Sequence, residues 1–228
     1  MPLETSLIRA ICFDVDGTLS DTDDVWLEKS LSFIRPFRWI YRQTEPDRLA
    51  RRLIMGIETP GNNVYHILDR LGMDALAGRV YSMVSRAFHR HPKKYQLVPG
   101  TMDTLEFLGR FFPLAVVSAG SHTGTHGFLE TFGLHKFFKA VATSQTCKFT
   151  KPFPHPLIWA AGQMGVDPRN CLMIGDTVVD IKAGKAAGAQ TVGVLCGFGE
   201  RDELEKAGAD LILNSPVELL ESFRPDPS

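Results

Sequence analysis

The sequence predicts an α/β fold, a Rossmann-like parallel sheet flanked by helices, with an all-helical cap domain inserted near its start. Three observations predict it. Short apolar runs alternate with segments of helical spacing, the order that builds a parallel sheet with crossover helices. The runs are mostly apolar along their length rather than at every second position, as strands covered on both faces must be. One interval, from about residue 22 to residue 90, keeps the helical spacing without a convincing strand.

In chain order, strands are expected at residues 7–13, 114–118, 140–143, 171–174, 191–194 and 210–213. Helices are expected at 102–110, 123–132, 156–165, 179–187, 200–207 and 217–223. The interrupting interval contains VWLEKSLSFI, PDRLARRLIMG, NNVYHILDRLG and LAGRVYSMVSRAFH, each amphipathic at helical spacing. It leaves through HPKKYQLVPG, residues 91–100, whose two prolines and glycine read as a hinge or linker. The division is thus a catalytic core of residues 1–19 and 96–228 and a helical cap of residues 20–95. The tail RPDPS reads as frayed.

Composition narrows the partners. In 228 residues, 25 Lys and Arg nearly balance 26 Asp and Glu, a formal charge of -1 that gives no field for gripping nucleic acid or an anionic membrane. Cys12, Cys147, Cys171 and Cys196 are scattered without CxxC or zinc-like spacing, and they read as buried thiols in a reducing compartment. The start, MPLETSLIRAICF, lacks the apolar stretch of a signal peptide, and no window reaches about 18 apolar residues. A cytoplasmic monomer or homodimer is expected.

The chemistry is concentrated in ICFDVDGTLSDTDD, where a strand runs into Asp14, Asp16, Asp21, Asp23 and Asp24. Such crowded carboxylates need solvent, a helix cap or a cation to relieve their repulsion. Open parallel sheets bind ligands beyond the carboxyl ends of their strands. There the sequence places Asp14 and Asp16 on the first strand, Ser118 on the second, Lys151 in the loop after the third, and Asp176 with Asp180 after the fourth. Asp14 and Asp176 suit a hard divalent cation such as magnesium. A carboxylate at Asp14 is a candidate nucleophile toward phosphorus, and Asp16 a candidate general acid and base. Ser118 and Lys151 suit the oxygens of a transferring phosphoryl group. The glycines of DGTL and SAGSHTG allow backbone amides to approach the phosphate. Asp21, Asp23 and Asp24 read as structural, at the start of the cap.

The segments FDVDGTLSDT, VVSAGS, KPFPHP and MIGDTVVDIKAGKAAGA, in that order, resemble the four motifs of the haloacid dehalogenase superfamily. The likeness is to its helical-cap phosphatases, among them phosphoglycolate phosphatases, and it covers about residues 7–214. It implies a mobile cap, magnesium, and hydrolysis of a small phosphorylated metabolite, such as phosphoglycolate or a sugar phosphate, through an aspartyl-phosphate. Carried over, Asp14 is nucleophile and metal ligand, and Asp16 is the acid and base whose carbonyl also meets the metal. Asp176 ligates the metal, Ser118, Ala119 and Lys151 bind phosphate, and Asp180, Gly17 and Thr18 support them. The aspartate at position 16 argues against dehalogenase chemistry.

Two other functions share this core. A sugar phosphomutase would need shielding residues in the cap, where no clear equivalent is seen. An Asp14-phosphorylated signalling module would be shorter than this chain. His122 and His126, four apart, raise a zinc reading, but no third ligand follows in a metal-site pattern and they read as surface imidazoles. Trp26, Phe33, Phe37 and Trp39 read as cap core, and Arg51 and Arg52 fit a substrate-facing position and a solvated helix face equally well.

Overall fold

A computed structural model describes residues 3–21 and 95–223. The chain divides into two compact units, Met1–Thr22 with Tyr95–Ser228, and Asp23–Lys94. The helices expected within 22–90, with their aromatic and arginine residues, lie outside the described residues.

The first unit is a six-stranded sheet with helices on it. Its elements run β1 (Ala10–Phe13), α1 (Thr101–Leu108), β2 (Leu114–Val117), α2 (His122–Thr131), β3 (Phe138–Ala142), α3 (His155–Met164), β4 (Cys171–Gly175), α4 (Val178–Ala186), β5 (Gln190–Val194), α5 (Arg201–Ala207), β6 (Leu211–Leu213) and α6 (Leu219–Phe223). Every strand pairing is parallel, in the order β3-β2-β1-β4-β5-β6. Each expected strand and helix of the core is present, shifted by a few residues at its ends.

The reason is the burial the sequence encodes. All residues of β1, β2 and β4 are buried, so both faces of the central strands are covered. One face carries Ile11, Phe13, Val116, Leu172 and Ile174 with Phe128 and Leu129 of α2. The other carries Ala10, Cys12, Ala115, Val117 and Met173 with Leu157, Ala160 and Ala161 of α3. Each large side chain buried this way contributes roughly 2 kcal/mol of transfer free energy. Among the described residues, no helix is long and apolar enough to cross a membrane.

Register then sets the functional edge. Phe13 of β1 lies level with Val116 of β2 and Ile174 of β4. Asp14, Ser118 and Asp176 therefore emerge within one residue of the same level, beside the point where strand order reverses, which is the ligand crevice of such sheets.

Within the expected hinge or linker, residues 95–98 pair with residues 19–21: Leu97 bridges Ser20 antiparallel, Val98 donates to the Leu19 carbonyl and Asp21 to that of Gln96, both at 2.9 Å. One expectation is corrected. All four cysteines are free thiols, but only Cys12 and Cys171 are buried. Cys147 and Cys196 are half-buried because they sit in loops past β3 and β5.

The far edge is tied by Asp210, whose Oδ2 accepts from the Thr191 backbone N–H at 2.8 Å and from Lys185 Nζ at 2.5 Å. Burial pushes this carboxyl up, but Lys185 and Thr191 outweigh it and hold it below its ordinary value. A lowered carboxylate contributes stability above its unfolded value and loses it as pH falls through the folded one. Asp210→Asn should therefore cost about 1 kcal/mol in urea unfolding at pH 7, and the deficit should shrink below pH of about 4. An equal deficit at both pH values would show that the charge is not what ties the edge.

Candidate active site

Asp14 follows the last residue of β1, with its backbone N–H on the Ile174 carbonyl at 2.9 Å, which fixes it between β1 and β4. Lys151, 2% exposed, reaches it from the loop after β3. Its Nζ donates to Asp14 Oδ1 at 2.6 Å and to Asp180 Oδ1 at 2.5 Å. Burial pushes the Asp14 carboxyl up to about 8, Asp180 and Asp16 push it the same way, and Lys151 pulls against them. Burial also opposes the Lys151 charge, but its two carboxylates outweigh that and hold the ammonium well above its ordinary value. The Lys151–Pro152 bond is cis.

Asp180 is aimed by the start of α4. Its Oδ2 accepts from the Thr177 N–H at 3.0 Å and the Thr177 hydroxyl at 2.7 Å, leaving Oδ1 for the lysine. The residue that starts as a helix cap thus positions Lys151, and the i, i+4 spacing from Asp176 serves both purposes.

Asp176 is 0% exposed. The Phe198 N–H donates to its Oδ2 at 2.8 Å, and Thr18 Oγ1 to its Oδ1 at 3.4 Å. A Cβ at Gly17, Gly197 or Gly199 would collide with Asp176. Gly17 also has φ +80°, a left-handed turn that brings the backbone after Asp16 against this carboxylate. Cys196 Sγ contacts the Gly17 carbonyl at 3.3 Å, so residues 196–199 brace two strand ends at once. Sequence reasoning missed this segment. Its one legible signal was CGFG directly after an apolar run, a spacing that lets backbone approach something closely.

Ser118 lies after β2, 1% exposed, with its backbone N–H on the Ala142 carbonyl at 2.9 Å. Its Oγ accepts from the Gly120 N–H at 2.9 Å and from Thr125 Oγ1 at 3.4 Å. With its acceptor sites engaged, the hydroxyl proton is left to donate into the site. A Cβ on Gly120 would lie 3.0 Å from Ser118 Oγ and 3.5 Å from Asp16 Oδ2, so Asp16 and Ser118 flank the same small-residue turn. Ala119 is exposed at its tip. Every site residue singled out from the sequence is therefore at the carboxyl edge of the sheet.

Asp14, Asp176 and Asp180 each offer a carboxylate oxygen within 4.8 Å of the others, all buried. Lys151 supplies a single positive charge against these three acids. Since Asp180 is committed to Lys151 and Thr177, the donor set facing a cation is Asp14 with Asp176. Hard oxygen donors around a residual negative charge fit magnesium better than a thiolate- or imidazole-binding ion.

Residues 11–194 match the profile of the haloacid dehalogenase-like hydrolases. The chain belongs to that family. A pyrophosphatase PpaX from Anoxybacillus flavithermus is 32% identical, covering 93% of this chain and 95% of its own. A phosphoglycolate phosphatase from Aquifex aeolicus is 28% identical, covering 93% and 95%. A solved Thermotoga maritima chain, provisionally described as a beta-phosphoglucomutase, is 25% identical with TM-score 0.64 and covers 94% and 98%.

Removing the ammonium leaves two buried carboxylates without their partner, a loss of a kind that costs about 3 kcal/mol or more. Lys151→Met should lower stability by that order in urea unfolding with a chelator present. Unchanged stability would mean that the Asp14–Lys151–Asp180 bridge does not form in the folded chain.

Proposed function

We propose that this chain is a magnesium-dependent phosphatase that hydrolyses a small phosphorylated metabolite through an aspartyl-phosphate on Asp14. One observation carries the reading. A buried ammonium bridges a strand-end carboxylate and a capped one, with a third carboxylate and a hydroxyl on the adjacent turn. That arrangement combines nucleophile, acid and oxyanion donors in one crevice.

In the proposed mechanism, an oxygen of Asp14 attacks phosphorus while Asp16 protonates the departing ester oxygen. Lys151 and Ser118, with the backbone amides after Ser118, hold the phosphoryl oxygens as charge moves between them. Asp16, now ionised, takes a proton from water, whose oxygen attacks the acyl phosphate at phosphorus. Phosphate leaves and Asp14 is regenerated. Asp14 and Asp176, with the Asp16 carbonyl, would hold magnesium, which when bound adds positive charge beside the transferring group. Asp180 keeps Lys151 aimed, and Thr18 with Phe198 keeps Asp176 aimed.

The relatives named pyrophosphatase and phosphoglycolate phosphatase bring two substrates to the test, alongside sugar phosphates. The free thiols support a cytoplasmic location, and monomer or homodimer is the proposed assembly.

Phosphate release should require magnesium, stop with a chelator, and fall by at least about a thousandfold in Asp14→Asn, since the nucleophile is gone. Full activity in that variant would exclude the mechanism. A panel of pyrophosphate, phosphoglycolate and hexose phosphates identifies the substrate class, and an isomerised hexose phosphate without free phosphate would make the chain a mutase.

A Cβ at residue 197 would collide with the Asp176 side chain. Gly197→Ala should raise the magnesium concentration for half-maximal activity about tenfold, with a smaller change in KM at saturating metal. A loss of kcat at saturating metal with an unchanged magnesium requirement would show that the loop serves something other than Asp176.

A further inference from the structure

Sequence spacing supplied two histidines on one helix and no partner for them, and the fold supplies the partner. His122 opens α2 and His126 stands one turn on, so both lie on one helix face. After α2 the chain reverses at Gly133, whose φ of 64° is left-handed, and enters the 3-10 turn Leu134–Phe137. That reversal brings His135 over His126. The His122 and His126 rings stack at 4.1 Å between centroids, and the His126 and His135 rings at 5.0 Å. Three of the four histidines among the described residues thus form one ladder.

Nothing local explains the ladder as a structural device. Among the described residues, no ring nitrogen of the three makes a hydrogen bond, and none pairs with a carboxylate. The bonds these residues make are through the backbone: the His122 N–H donates to Gln145 Oε1 at 2.8 Å and the His135 carbonyl accepts from the Phe138 N–H. His126 is half-buried between two exposed neighbours. Burial, then His122 and His135, push its ring below the ordinary imidazole value. A neutral imidazole is the form that ligates metal.

We propose that His122, His126 and His135 form a binding site for one borderline divalent transition ion, with zinc as its type. Imidazole nitrogens suit zinc, copper and nickel, whereas the carboxylates of Asp14 and Asp176 suit magnesium. The rings are stacked rather than convergent, so the exposed His122 and His135 rings turn about their side-chain torsions to meet the ion. Three imidazoles then leave a fourth tetrahedral position to water. The ion ties the first turn of α2 to the turn that follows it, just beyond the Ser118–Ser121 segment, and is independent of the chemistry proposed for Asp14.

Calorimetric titration of the whole chain with zinc, in excess magnesium to fill the hard oxygen site, tests this. One zinc should bind per chain and raise the unfolding temperature. His122→Asn, His126→Asn and His135→Asn should each weaken zinc binding at least about tenfold while leaving magnesium-supported phosphate release unchanged. No zinc binding, or binding that survives all three substitutions, overturns the proposal. So does a His135→Asn variant with wild-type affinity, and because this side chain is exposed on a turn, that variant folds even if His126→Asn does not.

Discussion

A buried ammonium held between two buried carboxylates organises the carboxyl edge of the sheet in this protein. Lys151 comes from the loop past β3, Asp14 from β1 and Asp180 from α4, so three separated stretches must be in register before the bridge closes. Burying such charges is costly, and only the full set of partners offsets the cost. Thr177 completes the Asp180 carboxylate, and Phe198 and Thr18 complete that of Asp176. The parallel sheet supplies the rest by ending β1, β2 and β4 at one level. A slip of one residue in any pairing would turn an acid into the apolar layer and leave its partner charged and alone.

Much of this was legible in the sequence because the constraints are one-dimensional. Strands covered on both faces leave continuous apolar runs, and Asp14, Ser118 and Asp176 are the first polar residues after three of them. The ambiguity at Asp180 was also legible, and geometry divides it, giving one carboxylate oxygen to the helix cap and the other to Lys151. Contacts made by backbone left no such trace. The hold of residues 197–199 on Asp176 depends on an amide and on missing Cβ atoms, which a sequence shows only as glycines. The pairing of residues 95–98 with 19–21 joins stretches far apart in the chain, which local composition does not show. His135 was missed because its approach to His126 is set by a reversal at Gly133, not by spacing.

Family membership and chemistry are more general here than substrate choice. Relatives named for pyrophosphate and for phosphoglycolate align over nearly the whole chain. A strand-end set of Asp14, Asp16, Ser118, Lys151 and Asp176 is suited to the phosphoryl group itself, which those compounds share. It contains nothing shaped to the remainder of the molecule.

The central claim is that Asp14 takes the phosphoryl group itself. Acid quenching during turnover, followed by digestion and mass spectrometry, tests it most directly. The peptide containing Asp14 should carry one added phosphoryl group, which disappears as substrate is exhausted. Steady release of phosphate with no peptide ever modified, on samples quenched within a single turnover, would contradict the account and leave water as the direct nucleophile.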